Sequence, residues 1–327
     1  MNILSRPAAL GAAALLAIAL AAPAAAQNYP TKPVRAVLPY SAGSGPDAVV
    51  RQVGEKLARE WGQQLVVDNK PGANGWLAVS EVKRAPADGY TVLTVDATHM
   101  TLQPNLYKQL PFDPVKDFEP VAGLYSTNFF MVVGANAPWK NVTELLAAAK
   151  AKNGQMTYGT WGMGSVAHVG TAMLEGASGV QMTHVPYKEL PQLYAAVATG
   201  EVDWAFGTAA TVGPLYRSKK VRLLAYAGPK RMAGYTDVPT VAEAGGPTAF
   251  ELRTWVALYA PKGTPKPTID RINAGVAKAL AEPDLRERFA GFGFEPWIAA
   301  PADVSRAAEA DTRRFAEIVK RANIALD

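Results

Sequence analysis

The sequence predicts an α/β protein built as two units. Short apolar runs alternate with segments whose apolar residues recur at helical spacing, and this alternation starts afresh near residue 130. Glycine-rich stretches stand where a strand would hand over to a helix. Two amphipathic segments close the chain, around 267–290 and 301–322, with too few strands near them to fold alone.

The first unit begins with VRAVLP (34–39), an apolar run suited to a buried strand. Residues 39–50 read PYSAGSGPDAVV, and Val49, Val50, Val53, Leu57 and Trp61 then fall on one helical face. Pro46 suits the first turn of that helix, and Ser44 or Gly45 suits its cap. QLVV (64–67) is a second strand, NKPGANG (69–75) a glycine-rich turn and YTVLTV (90–95) a third strand. This order predicts a parallel sheet with both faces covered.

The second unit opens with the strand-like FFMVVG (129–134). Asn141 with Glu144 signals a helix cap before ELLAAAKAK. MTYG (156–159) leads into TWGMGS, and a helical AHVGTAML follows. VQMTHVPY (180–187), VDWAFG (202–207) and VRLLAYAG (221–228) are further strands, and FELRTWVALYAP (250–261) is another strand-rich run. Assigning the closing helices to the first unit divides the chain into 27–127 with 252–327, and 128–251. The chain would cross between units twice, near 122–134 and 250–260.

Residues 1–26 read MNILSRPAALGAAALLAIALAAPAAA, with Arg6 as their only charge and an Ala24-Ala25-Ala26 cleavage site. The pattern predicts a cleaved secretory signal peptide rather than a retained anchor. About 300 residues then remain, enough for two domains. The chain has no cysteine, which excludes disulfides, thiol chemistry and a lipid-anchored cysteine after the leader. An untethered exported protein implies the periplasm of a Gram-negative bacterium. Lysines and arginines are scattered, with no basic stripe interleaved with aromatics, so nucleic acid is not an expected partner.

The chemistry is expected in two loops, SAGSGPD (41–47) and TWGMGSVAH (160–168), one per unit. Ligands of such sheets bind beyond the carboxyl ends of the strands. Glycines admit close backbone approach, and a helix start offers free N–H groups and a positive dipole end. Two such starts facing across a cleft would hold a carboxylate without arginine. Either loop alone would read as an ordinary tight turn; the matched pair favours a site. Tyr40, Ser41, Ala42, Gly43, Ser44 and Gly45 are the candidates in the first loop. Thr160, Trp161, Gly162, Met163, Gly164 and Ser165 are those in the second. Thr98 would line the cleft floor, with His99 beside it, and Asp47 and His168 are expected to brace the loops.

YPTKPVRAVLPYSAGSGPD, DNKPGANG, APADGYTVL, LYKQLPFDPVKDFEPVAGL, MTYGTWGMGSVAHV, VPYKELPQLYAAVATGEVDWAF, DVPTVAEAG and APKGTPKP follow one another in the order of a known family. Together they resemble the Bug-type receptors of tripartite tricarboxylate transporters, across essentially the whole mature chain. The resemblance implies a type II periplasmic binding protein: two α/β domains, a central cleft and two crossing hinge segments. It implies a monomer that closes on a small carboxylate and docks on membrane permease subunits. It also implies that Ser44-Gly45-Pro46-Asp47 ends the first ligand loop, that Gly159 to His168 form the second, and that backbone amides and ordered waters hold the ligand. Some relatives carry an acid after the strand at 202–207 that could meet a ligand amine; here Gly207 and Thr208 stand there. Trp161 and Met163 replace small or polar residues, and could pack a flat or apolar ligand body unless Trp161 plugs the domain interior. The expected ligand is therefore an aromatic carboxylate or a short dicarboxylate without an ammonium group.

Gly43-Ser44-Gly45-Pro46-Asp47-Ala48 fits a dinucleotide fingerprint, with Asp68 twenty residues after Ala48. Tyr40-Ser41-Ala42 displace its first glycine from the strand end, so no cofactor is expected. His99, His168 and His184 lack metal spacing. Ser165 and His168 could touch on one helical turn, yet G-x-S-x-G is absent, so an exported enzyme is disfavoured and no catalytic residue is assigned. A periplasmic ligand-binding component of a signalling system would share the fold and cleft.

Overall fold

A computed structural model describes residues 29–322; the expected leader, residues 1–26, lies outside them. The chain builds β1 (Val34–Leu38), α1 (Gly45–Trp61), β2 (Leu65–Asn69), α2 (Trp76–Lys83) and β3 (Thr91–Asp96). A π-helical turn, Thr98–Leu102, runs into α3 (Gln103–Leu106), and β4 (Phe118–Asn128) follows. Then come β5 (Phe130–Gly134), α4 (Val142–Lys152), β6 (Thr157–Thr160), α5 (Val166–Ser178) and β7 (Thr183–Pro186). The series continues with α6 (Leu190–Thr199), β8 (Trp204–Gly207), α7 (Ala209–Arg217) and β9 (Val221–Tyr226). The chain closes with β10 (Arg253–Pro261), α8 (Lys266–Ala281), α9 (Pro283–Phe292), β11 (Glu295–Pro296) and α10 (Pro301–Ala322).

Two sheets result, in the orders β11-β4-β10-β3-β1-β2 and β7-β6-β8-β5-β9. Each is covered on both faces, as alternation along a strand shows. Val34, Ala36 and Leu38 of β1 join one apolar cluster with α1 and α8, while Val37 joins another with α2. Met131 and Val133 of β5 pack with α4 and α5, and Phe130 and Val132 pack with α6 and α7.

The three strands expected to run parallel do so, but each sheet as a whole is mixed. β1 pairs in parallel with β2 and β3, but β10 runs antiparallel to both β3 and β4. The reason is the crossing itself. β4 carries the chain out of the first lobe and β10 brings it back alongside, so the two must run in opposite directions. β5 is likewise antiparallel to β8 and β9.

The crossings are short and stitched together. Only Phe129 separates β4 from β5. On the return path, the Ala227 carbonyl accepts Asn128 Nδ2 at 2.8 Å and the Leu252 N–H at 3.0 Å, while Ala227 N–H donates to Phe129 O at 2.8 Å. A further apolar cluster of Leu102, Leu106, Val169, Phe315, Ile318 and Val319 joins α10 and the 98–106 segment of the first lobe to α5 of the second. The single helical segment expected around 267–290 is two helices, because Pro283 forces Glu282 into an extended conformation.

Candidate functional site

The first loop leaves β1 and ends on the N-terminus of α1. Gly43 takes φ +79°, a conformation that favours glycine, and its N–H donates to Asp47 Oδ2 at 2.8 Å. Asp47 is 3% exposed and also receives Arg51 Nε and Asn69 Nδ2, and Asn69 Nδ2 donates to Tyr40 O as well. Burial opposes the Asp47 charge, but Arg51, the Gly43 N–H and Asn69 outweigh it and hold the carboxyl below its usual range. Asp47 thus ties the loop from behind. Ser44 caps α1 without a side-chain bond, and its Oγ is buried with no partner. Ser41, Ala42 and Gly43 are exposed.

Below this loop lies the end of β3. Asp96 Oδ1 accepts the Thr98 N–H and approaches His99 Nδ1, each at 2.9 Å, and the Asp96 N–H donates to Tyr40 Oη at 2.8 Å. Burial opposes the Asp96 charge, but His99, Tyr40 and Thr98 together hold its carboxyl low. Burial, with the Asp96 charge, pushes the Tyr40 phenol well up. Gly75, at φ +84°, closes over His99; a Cβ there would overlap the imidazole.

The second loop leaves β6 and ends on α5. Thr160, fully buried, donates through Oγ1 to Gly162 O at 3.0 Å, accepts the Gly162 N–H at 3.2 Å, and lies 2.6 Å from His184 Nε2. His168 Nδ1 accepts the Gly164 N–H at 3.1 Å. Gly162 and Gly164 have φ of +128° and +70°. Ser165 caps α5, its side chain accepting the His168 N–H. That bond is a cap between a hydroxyl and a backbone amide, and the imidazole is engaged elsewhere, so the two side chains do not form a nucleophile–base pair. Trp161 is half-buried and stacks on Phe129, with ring centroids 5.9 Å apart, while Met163 is 56% exposed.

A third strand-to-helix junction joins β8 to α7. A Cβ on Gly207 would overlap Val212 and crowd Tyr194 Oη, so packing fixes this glycine. Thr208 forms a capping box with Thr211, which occupies its hydroxyl. The Gly293–Phe294 turn wedges between the lobes here. A Cβ on Gly45 would lie 3.0 Å from the Phe294 ring, and one on Gly293 would overlap Ala209. The first residues of α1 and α7 therefore sit on either side of one turn. Among the described residues, no hydrogen bond joins residues 41–45 to 160–165, no three metal-binding side chains are grouped, and no helix is long and apolar enough to cross a membrane.

Residues 49–324 match the family described as "Tripartite tricarboxylate transporter family receptor". The chain belongs to this receptor family. The receptor is 29% identical to Protein BugT of Bordetella pertussis, with 92% of each chain covered. It shares 31% identity and a TM-score of 0.84 with an R. palustris protein solved with adipate, over 91% of its own chain and 99% of that one. It shares 28% identity and a TM-score of 0.78 with MatC from Rhodopseudomonas palustris with bound malate, over 89% and 100%. These neighbours share its two-lobed α/β architecture.

Sequence reasoning missed several residues that hold the two loops in place. Asp96 reads as the last residue of a strand, and its role appears only when Tyr40 and His99 reach it from other elements. Asn69 reads as a turn residue, yet it clamps both Asp47 and Tyr40. His184 reads as structural within its strand; its pairing with Thr160 depends on β6 and β7 being neighbours. Phe294 had no local signal. Asp68, the acid of the would-be dinucleotide fingerprint, is paired with Arg35 at 2.9 Å.

Proposed function

We propose that the receptor captures a small carboxylate between its lobes in the periplasm and hands it to the membrane permease subunits of a tripartite tricarboxylate-type transporter. One observation carries this reading: each lobe ends a strand in a glycine-bearing loop that opens onto a helix N-terminus. Helix starts favour anions through free N–H groups and the dipole. The acid of the first loop, Asp47, is consumed by Arg51, Asn69 and Gly43, so it does not oppose an anion. The partnerless Ser44 Oγ supplies one polar contact, with Thr98, Gly207 and Thr208 at the margins.

Adipate and malate in two similar proteins support a short dicarboxylate. Trp161 and exposed Met163 keep an aromatic carboxylate as the other favoured class. Residues 27–127 with 252–327 form one body and 128–251 the other. They close about the crossings at Asn128–Phe129 and Ala227–Leu252, because contacts from both lobes exist together only when closed. Residues 1–26 serve as the export leader, and the receptor acts as a monomer without a cofactor.

The test is a thermal-shift panel on refolded, ligand-free protein with aromatic acids, four- to six-carbon dicarboxylates, amino acids and NAD. A ligand that binds only the native state raises Tm according to concentration over Kd. Shifts with carboxylates but not with amino acids are expected. A shift with NAD alone, or equal shifts with amino acids and plain carboxylates, would overturn the reading.

A further inference from the structure

The second loop hangs on two imidazoles. Thr160 Oγ1 gives its one proton to Gly162 O and accepts the Gly162 N–H, which leaves a lone pair for a donor on His184 Nε2 at 2.6 Å. His168 Nδ1 accepts from Gly164 N–H, so its proton sits on Nε2. The two rings stack with centroids 4.4 Å apart and planes inclined by 22°. Tyr158 of β6 lies parallel to both, at 6.4 Å from His168 and 5.2 Å from His184.

We propose that His184, together with His168, is a positioning residue for the ligand loop 160–165, which keeps its ligand-ready shape only while both rings are neutral, so that acidification weakens carboxylate capture. The proposal deepens the functional reading and rests on it in one respect, that residues 160–165 touch the ligand.

The geometry supplies the reason. A proton on His168 Nδ1 would face the Gly164 N–H, donor against donor, and would free that amide. Two charged rings in face-to-face contact would repel. The groups facing the pair do not offset this. Tyr158 from β6 is backed by Trp204 from β8, and burial first, then Glu175, pushes the phenol up. Glu175, two turns along α5 from His168, accepts the Met182 N–H, and burial pushes its carboxyl up. Among the described residues no carboxylate bonds either ring, unlike His99, which is held by Asp96. Burial, then the His184 charge, brings His168 down to about 4, and burial also lowers His184.

Isotope-labelled protein would be titrated by NMR from about pH 7.5 to about pH 4, following both imidazoles and the amides of Gly162 and Gly164. The expected result is that both amides move with the imidazole titration. Amides that stay in place while the rings titrate would overturn the positioning role. Adipate affinity would then be compared at about pH 7.5 and about pH 4 for wild type and for the His168→Asn, His184→Gln double variant. Asn and Gln keep the acceptor and donor without titrating, and protonation of adipate itself affects both proteins equally. Wild type should lose at least about twofold more affinity than the variant across this interval, because a ring with a value of about 4 is half protonated at its lower end. Equal losses would overturn the coupling to capture. If adipate binds neither protein at either pH, the comparison is made with the carboxylate that gives the largest thermal shift; if no carboxylate binds, the carboxylate-receptor reading is what fails, while the wild-type amide titration still decides whether the imidazoles position the loop.

Discussion

Trp161 stacks on Phe129 with ring centroids 5.9 Å apart and planes inclined by 24°. Phe129 is the single residue between β4 and β5, so an aromatic of the 160–165 loop rests on a crossing between the lobes. Trp161 also packs against both apolar clusters of its lobe. Loop and crossing thus share one contact, and a loop that reshapes around ligand would be felt where the lobes join. Trp161→Ala is expected to cost about 1–3 kcal/mol in urea unfolding, from lost burial and stacking, and Trp161→Phe less than half of that. If Trp161 also packs the ligand, affinity for the carboxylate with the largest thermal shift falls in both variants by calorimetry; a ring that serves only the lobe leaves the Phe variant with wild-type affinity.

Asp47 tests the first loop. Its carboxylate joins Gly43, Arg51 and Asn69, so Asp47→Ala leaves the Gly43 N–H and the Asn69 amide without their shared partner. A loss of about 1–3 kcal/mol is expected, with faster hydrogen exchange at Gly43. The folded Asp47 carboxyl lies below its unfolded value. Its contribution is therefore complete above the unfolded value and disappears as pH falls through the lower folded one. Acid unfolding below about pH 4 should consequently be shallower in the variant than in wild type.

Much of this was legible in the sequence, for local reasons. The α1 start could be read because Pro46, the glycines and the apolar spacing from Val49 all act within one helix. The α4 cap was equally local: Asn141 Oδ1 accepts the Glu144 N–H at 2.9 Å. β4 was not legible. Pro120 and Gly123 interrupt its apolar pattern, and Gly123 is there because Trp297, far along the chain, lies against it; a Cβ would come within 2.8 Å of the Trp297 ring. The Asp96–Tyr40–His99 cluster and the His168–His184 pair were hidden for the same reason. Each joins side chains from elements that the order of strands in a sheet brings together, and strand order is a property of the sheet, not of any stretch of sequence.

Gly75 shows what such a long-range contact demands. It combines φ +84° with a position against His99 that leaves no room for a methyl group. Gly75→Ala should destabilise by about 2–4 kcal/mol, through backbone strain and displacement of the imidazole. The variant's His99 signals should shift in NMR, and affinity for the carboxylate with the largest thermal shift should fall if Thr98 and Tyr40 line the site. A variant as stable as wild type, with unchanged His99 signals, would contradict this packing.

The neutral imidazoles also bear on stability. The folded His168 value, about 4, lies below the ordinary 6.5, and burial is the main cause. Between these values the unfolded chain binds more protons than the fold, so stability rises with pH across that interval. The contribution is complete above about pH 6.5 and is lost as pH falls towards about 4. Chemical denaturation of ligand-free protein across this range should show that slope, and His168→Asn should flatten it. A variant slope equal to that of wild type would assign the acid sensitivity to other groups.

Phe315 lies in the apolar cluster that joins α10 to α5 and the 98–106 segment, and is 2% exposed. Because α5 begins at the 160–165 loop, this cluster fixes one end of that loop's helix to the other lobe. Phe315→Ala should cost about 3–5 kcal/mol, since the cavity it leaves lies between elements of both lobes. The decisive readout is not the size of that loss but its form. If the lobes are coupled mainly through this cluster and the two crossings, the variant should unfold with a broader transition and a smaller m-value, because the lobes no longer melt as one unit. Small-angle scattering on the folded variant should also give a larger radius of gyration than wild type without ligand. A variant that is less stable but keeps the m-value and radius of wild type would mean that the crossings at Asn128–Phe129 and Ala227–Leu252 suffice to hold the lobes together.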